Sequence, residues 1–353
     1  MKERTSIYTK IDTKSYFTAG LSFNNKEIFI RDEVLAITPD VIIDIHSHAN
    51  LPEDVVGLHP RFFSDIISTF PSFTVSQHRT TDRLLWGDKK DVRHAYFAFP
   101  FEGVNIDKSN QYIASVATDS DFPFYTSDNF QSRSTIEALK TEKWRGVKAY
   151  YRQRSPESTN ITDFYPPEIL EIADSRKLPI ILHLPNDLEK DFLELTSLLQ
   201  RYSQAKFIIA HMGFPDGKTY PELLSALKPF DNVFFESSWS INSLAIKSVI
   251  DILGPEKLLY GSDQPLNLIR AKVVINPQLG ERVAVGLPYH WADQKEQQYY
   301  KDELGISVDE ISTIHFQSLE AILYAVFNYT SDRNKQIELS RMIFYNNAFD
   351  LLK

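Results

Sequence analysis

The chain contains no cysteine, which excludes disulfide bridges, thiolate metal sites and a cysteine nucleophile. Glycine is scarce, at 12 in 353 residues, and none stands in Ser47-His48-Ala49-Asn50, just past the first strongly apolar run. A doubly wound nucleotide-binding sheet usually carries a glycine-rich phosphate loop at that point. Basic residues do not dominate: 38 Lys and Arg against 47 Asp and Glu leave a net charge of −9, contrary to a nucleic-acid surface. No apolar run approaches the ~20 residues of a membrane span, and Met1–Tyr8 lacks the apolar core of a secretory signal. The expected setting is cytoplasmic, without membrane or nucleic-acid partners. Low-complexity tracts are absent and 42% of residues are hydrophobic, so the length predicts one large folded domain or one with a small appendage.

What the chain does have is a series of short, branched apolar runs that lead into polar residues. Val41-Ile42-Ile43-Asp44-Ile45 runs into His46-Ser47-His48, and Trp144-Arg145-Gly146-Val147 into Lys148. Pro179-Ile180-Ile181-Leu182 ends at His183, Phe207-Ile208-Ile209-Ala210 at His211, and Leu258-Leu259-Tyr260-Gly261-Ser262 at Asp263. Such runs read as strands buried on both faces of a parallel sheet. The C-terminal strand ends of such a sheet gather at one rim, where sites are built. Strand alternation predicts that Asp44, His46 and His48 share a face. A lone His-x-His is a weak metal signal, and each residue alone is more ordinarily a packed or ion-paired side chain. Their repetition at strand ends is what points to a metal site of imidazoles and carboxylates. His94 opens a further apolar run and reads as structural, at the opposite barrel face.

Helical patterns separate these runs at 134–143, 166–173, 187–202, 220–227 and 241–253. Strands are expected to begin near 41, 94, 112, 145, 179, 206, 232 and 257. Eight strands alternating with helices is the α/β count of a (β/α)8 TIM barrel, here residues 41–353. Residues 1–40 precede it; Tyr16–Phe23 and Glu27–Arg31 around Asn24-Asn25 read as an N-terminal β-hairpin extension. Residues 264–340 exceed what a last barrel helix needs and read as a helical insertion after strand 8, with helices near 292–303 and 308–328. It is placed to shape a pocket or an interface between copies, so a homo-oligomer is among the expected assemblies.

The motif order resembles the amidohydrolase superfamily, and the phrases look most like its amidohydrolase-related (amidohydrolase 2) branch. These are Asp44-Ile-His46-Ser-His48, Gly146-Val-Lys148, Ile209-Ala-His211-Met-Gly213, Leu259-Tyr-Gly-Ser-Asp263-Gln-Pro265 and Asn346-Asn347-Ala348-Phe349-Asp350-Leu351. The resemblance covers roughly residues 41–265 and 340–353. It implies a distorted barrel holding one or two divalent metals, commonly Zn²⁺, with Mn²⁺ or Fe²⁺ as alternatives. Carried over, His46, His48, His183 and Asp263 are the metal ligands. His211 is a second-metal ligand or a catalytic base. Lys148 either is carboxylated and bridges two metals or touches the substrate.

Such a metal acidifies water and polarises a carbonyl. Asp263 is then expected to relay a proton to the leaving group, with His211 as shuttle or oxyanion partner. Tyr150, Arg152 and Arg154 follow Lys148, and an arginine fork there suits a carboxylate or phosphate of a small-molecule substrate; a solvated basic loop is the plainer alternative. Trp239, after strand 7, is placed either to stack on a substrate ring or to pack against the insertion. The implied activity is metal-dependent hydrolysis of a small ester, lactone or amide. Non-oxidative decarboxylation or hydration of a small carboxylic acid is the alternative, and a non-catalytic binding protein a third. In decarboxylase relatives an acidic residue often takes the position of His46, which favours hydrolysis.

Overall fold

Branched, uninterrupted apolar sequence builds the barrel wall. The computed structural model describes residues 14–353 apart from 58, 60, 61, 63, 64, 129–131, 154, 155, 216–218 and 277–279. Parallel strands β1 (Val41–His48) and β2 (Asp91–Phe97) pair with each other. Strands β3 (Phe124–Thr126), β4 (Gly146–Ala149), β5 (Pro179–Leu182), β6 (Lys206–Ile209), β7 (Val233–Glu236) and β8 (Leu258–Leu259) form one continuous parallel sheet in chain order. Isolated main-chain hydrogen bonds, one at the first seam and three at the second, join these two sets. Phe122 N donates to His94 O (2.8 Å) between β2 and β3. Ile45 N donates to Tyr260 O (3.0 Å), Asp263 N to His46 O (2.8 Å) and His48 N to Gln264 O (2.9 Å) between β8 and β1. The α/β barrel expected from the sequence is the fold observed. Ile43, Ile45, Phe97, Ile181, Ile208 and Leu259 fill its interior, while a larger apolar layer lies between strands and helices.

Three local expectations are corrected. The 112–117 segment is not a strand. It closes helix α4 (Ile106–Val116), which follows α1 (Lys14–Gly20), α2 (Asn25–Leu35) and α3 (Val75–Trp86). Asn105 caps α4 by accepting from Lys108 N (3.1 Å), and Ile106, Asn110 and Ile113 bury one helical face. The true third strand has only three residues, too few to display a period.

Over its described residues, 14–40, the N-terminal extension is helical rather than a β-hairpin, with α1 and α2 in place of the two expected strands. Asn24 is not a hairpin turn residue but a helix cap. Its Oδ1 accepts from Glu27 N and its own N–H donates to Glu27 Oε2, both at 2.9 Å, the reciprocal pairing of a capping box.

The insertion is not purely helical. It opens with an antiparallel hairpin, β9 (Ala271–Asn276) and β10 (Gly280–Val285), before the helix Gln294–Asp302 and the long helix Ile314–Tyr329. Val273, Val274, Ile275, Val283 and Val285 supply the β-branched content that favours strands there.

Extension and insertion are locked together. Arg270 donates to Glu27 through both terminal nitrogens (3.0 and 2.9 Å), and Thr313 N donates to the same carboxylate at 2.7 Å. Glu27 is wholly buried and Arg270 is 7% exposed. Removing one charge from a buried pair costs about 3–5 kcal/mol because the other remains unpaired. Glu27→Gln is therefore expected to lower unfolding free energy by that amount in urea titration; a loss below about 1 kcal/mol would contradict the lock.

Candidate metal centre

β1 does not alternate simply. Its register against β2 shifts between Asp44 and Ser47, so Ile45 and His46 together oppose one partner residue, as in a β-bulge. Below the bulge Asp44 faces His94, and beyond it Ser47 also reaches His94 (2.8 Å). His46 and His48 turn onto Phe97, with ring centroids 5.0 and 4.7 Å away. The expectation that Asp44 shares a face with the two histidines is thus overturned by one extra residue. His94 does not lie at the far barrel face either: it is mid-strand, opposite Asp44 in the β1–β2 register.

The strand ends bring the other polar residues to the same place. His46 Nε2 and His48 Nε2 lie 3.3 and 3.0 Å from Asp263 Oδ1. His211 lies with its ring centroid 5.2 Å from that of His46 and 4.8 Å from that of His183. His46, His211 and Asp263 offer ligand atoms all within 4.8 Å of one another. This group includes His211, whose role the sequence left divided; His183 flanks it.

Each imidazole is held by its Nδ1. For His46 the partner is Glu236 Oε1 (3.1 Å), for His48 Ala98 O (3.3 Å), for His183 Leu184 O (3.1 Å) and for His211 Ser238 O (3.1 Å). Carbonyl and carboxylate oxygens only accept, so Nδ1 carries the hydrogen in each ring, and Nε2 of the neutral ring presents a lone pair. This is how outer groups orient metal-binding histidines.

The arrangement contains an internal conflict. Asp263 Oδ1 is buried without a hydrogen bond among the described residues, yet it faces Nε2 lone pairs of two rings. Acceptors at 3.0–3.3 Å from one another call for a cation or a proton between them. Electrostatics agree. Burial opposes charge on His46, but Glu236 and Asp263 outweigh it and raise its proton affinity. Burial keeps His48 and His183 neutral and brings His211 down to about 4. Burial works to protonate Asp263, and its histidine neighbours overcome this, holding it well below the usual carboxylate range. Once His46 gives up its proton, the imidazoles and the ionised carboxylate make a donor set that fits a divalent ion such as Zn²⁺.

Lys148 ends β4 at 1% exposure. Its Nζ has no hydrogen-bond partner among the described residues and lies 5.4 Å from the Phe97 ring centroid. Burial brings its pKa down to about 8, against the attraction of Asp263 and Glu236. A partly neutral amine at neutral pH suits either metal chemistry or substrate contact.

The backbone at these strand ends is unusual. His211, Met212, Phe214, Trp239 and Asp263 adopt positive φ (55, 56, 52, 56 and 61°), a left-handed state that costs about 1–2 kcal/mol for a residue with a Cβ. Such strain clusters at functional sites. Phe214 returns its ring to within 5.0 Å of His183 and 5.2 Å of His211 while staying 38% exposed.

Among the expected substrate residues, Tyr150 packs edge-on to His183 (5.0 Å) and is buried. Arg152 is engaged by Asp65 (2.9 Å) and Glu157 (3.0 Å) and lies over Phe62. Arg154 falls outside the described residues. Trp239 is half-buried against the apolar core, its Nε1–H unpartnered among the described residues. Two residues that sequence reasoning passed over are central. Glu236 is wholly buried and accepts from His46 Nδ1, His211 N (2.8 Å), Ser238 N (2.6 Å) and Ser238 Oγ (2.7 Å). Ser238 Oγ in turn lies 2.9 Å from His211 Nδ1. Their signal was present: Glu236-Ser237-Ser238 ends a strand just as the histidines do.

Residues 132–274 match the family model described as Amidohydrolase, a stretch that holds Lys148, His183, His211, Glu236 and Asp263. The fold, a parallel α/β barrel with its polar groups at the strand ends, is that of the same class. Over that stretch the chain is similar to the amidohydrolases. Among solved structures it is similar to a probable 2-pyrone-4,6-dicarboxylic acid hydrolase from Acinetobacter baumannii with citric acid bound. Identity is 17% and TM-score 0.55, over 88% of this chain and 98% of that one. An amidohydrolase II gives 17% identity and TM-score 0.54 over 88% and 99%. The 5-carboxyvanillate decarboxylase of Sphingomonas paucimobilis gives 11% and 0.49 over 89% and 99%. Nothing among curated proteins matches the chain.

Two outcomes follow. A Cβ on Gly261 would stand 2.2 Å from Glu236 Oε2 and 3.1 Å from His46 Cβ. Gly261→Ala is expected to push that carboxylate off its donors and cost about 1–3 kcal/mol, the penalty for stranding buried polar groups. A variant as stable as the parent in urea would show that Glu236 is free to move. The second concerns pH. Burial disfavours charge on His94, but Asp82 and Asp44 raise its pKa to about 9. A raised histidine contributes stability fully present below its unfolded value of about 6.5 and lost as pH climbs through about 9. Lys148, depressed to about 8, runs in the opposite sense as pH rises further. The comparison is therefore with His94→Asn: in chelated protein, the stability advantage of the parent should shrink from pH 6.5 to 9.5. A constant difference would contradict the assignment.

Proposed function

We propose that this protein is a metal-dependent hydrolase of a small ester, lactone or amide. The observation that carries the reading is the facing of imidazole lone pairs and the buried Asp263 Oδ1 at 3.0–3.3 Å, an arrangement that a divalent ion completes. His46, His211 and Asp263, whose ligand atoms converge, would hold the ion together with His48, with His183 beside them. When bound, it supplies Lewis acidity toward a carbonyl oxygen and makes water acidic near neutral pH.

The chain's own groups do the rest. Asp263, ionised and at the rim, accepts a proton from the attacking water and returns it to the leaving oxygen or nitrogen. His211 donates its Nδ1–H to Ser238, so its Nε2 accepts: it is suited to taking a proton or binding metal, not to donating to an oxyanion while neutral. Tyr150, Tyr151 and Phe214 place their rings 5.0–5.2 Å from that of His183, an aromatic surround that favours a compact organic substrate. Arg152 is already paired by Asp65 and Glu157, which weakens its expected part as a carboxylate fork.

Metal analysis of protein purified without chelator or metal-affinity resin is expected to give about one divalent ion per chain, lost in the His46→Ala, Asp263→Ala double variant. About two would imply a carboxylated Lys148. Asp263→Asn is expected to lower hydrolysis about 10²–10⁴-fold across a panel of lactones, aryl esters and anilides. Carbon dioxide release from small aromatic acids, without ester or amide cleavage, would instead support the decarboxylase alternative. No metal even after reconstitution with zinc or manganese would overturn the proposal.

A further inference from the structure

Behind the imidazole cluster the barrel wall buries a second set of charges that the hydrolytic reading does not use. Asp82 on α3, His94 on β2 and Asp44 on β1 are 7%, 0% and 1% exposed. His94 Nε2 lies 2.9 Å from Asp82 Oδ2, and Nδ1 lies 2.8 Å from Ser47 Oγ and 3.5 Å from Asp44 Oδ2. The Ser47 hydroxyl gives its hydrogen to Asp44 Oδ2 (2.9 Å), so toward His94 it accepts. Both ring nitrogens of His94 are therefore donors, which makes it an imidazolium by geometry.

Asp44 passes this charge on to the metal centre. Its Oδ1 accepts from His46 N (3.1 Å) and Ser262 N (2.9 Å), and its Oδ2 accepts from the Ser262 hydroxyl. Ser262 Oγ also accepts from Gln264 N (3.0 Å). The residues on both sides of Asp263 are thus held by Asp44, directly or through one hydroxyl. Asp263 itself is fixed by its N–H to His46 O (2.8 Å) in the left-handed conformation. A carboxylate in such a dry place needs a counter-charge, and His94, tethered by Asp82, is that counter-charge.

We propose that His94 is a positioning residue for Asp263, acting through Asp44 and Ser262 and fixed from the outer helix layer by Asp82. The proposal deepens the metal-centre reading and rests on it for its consequence in metal binding. Outer groups of this kind change metal affinity about 10–100-fold when removed.

The test uses the full chain with Ser262→Ala, Asp82→Asn and the double variant, the serine change being the milder should the aspartate variant fold poorly. Crystal structures of the metal-free proteins are expected to show the Asp263 carboxylate displaced by about 1 Å from its place beside His46 and His48, a shift sufficient to loosen a site. Zinc affinity by chelator competition is expected to fall about 10–100-fold in each single variant, and hardly further in the double, because both act through one carboxylate. An unmoved Asp263, or losses that simply add, would overturn the proposal. If the parent chain takes up no zinc, the metal-centre reading fails, and the position of Asp263 in the metal-free variants still decides this one.

Discussion

The site rests on the hydrogen bonds that hold each imidazole by its Nδ1. Main-chain carbonyls hold His48, His183 and His211, and the Glu236 carboxylate holds His46. An unheld histidine has two tautomers and a freely turning ring, and would spend binding energy on choosing between them. Here the choice is made by acceptors that belong to the barrel itself. Ala98, Leu184 and Ser238 are all residues just past strand ends, so the geometry of the wall becomes the geometry of the lone pairs. That is why a fold with strands of two to eight residues can place groups more than two hundred positions apart in sequence.

The carboxylates divide the labour. Glu236 is saturated by four donors and cannot approach a substrate; it works as a fixed negative post between His46 and His211. Asp44 is saturated too, on the opposite side of the strand. Of these three, Asp263 is the one with a buried oxygen left without a donor among the described residues. Three buried acids of the same chemistry are thereby separated into two that are filled by donors and one that keeps an open oxygen, by nothing more than how many hydrogens point at each.

The sequence announced the barrel because its strands are branched runs and its helices are amphipathic, and both signals survive without a partner in view. Val41–His48 and Tyr220–Leu227 fall where their patterns put them. It misled where a signal serves two structures. Asn24-Asn25 suits a hairpin turn and a helix cap alike, and only the reciprocal bonds with Glu27 decide. Tyr112–Ala117 is apolar enough for a strand, but the cap at Asn105 had already started a helix. At the site, His46, His48, His211 and Asp263 were legible as candidates because they end apolar runs, and the structure brings them together. Glu236 carries no such mark: a carboxylate that orients an imidazole looks, in sequence, like any acid at a strand end. Nor was the face of Asp44 readable, since a bulge inserts no special residue.

That bulge has a consequence for how this wall can vary. By adding one residue between Asp44 and Ser47, β1 gives its two halves independent phase. Below it, Ile43 and Ile45 answer to the packing of the barrel interior; above it, His46 and His48 answer to Asp263. Neither half fixes which way the other faces, as each would in an unbroken strand. The interior can drift in size and shape while the ligand pair stays aimed, and the outward-facing Asp44 and Ser47 remain beside each other as a second, separately maintained surface.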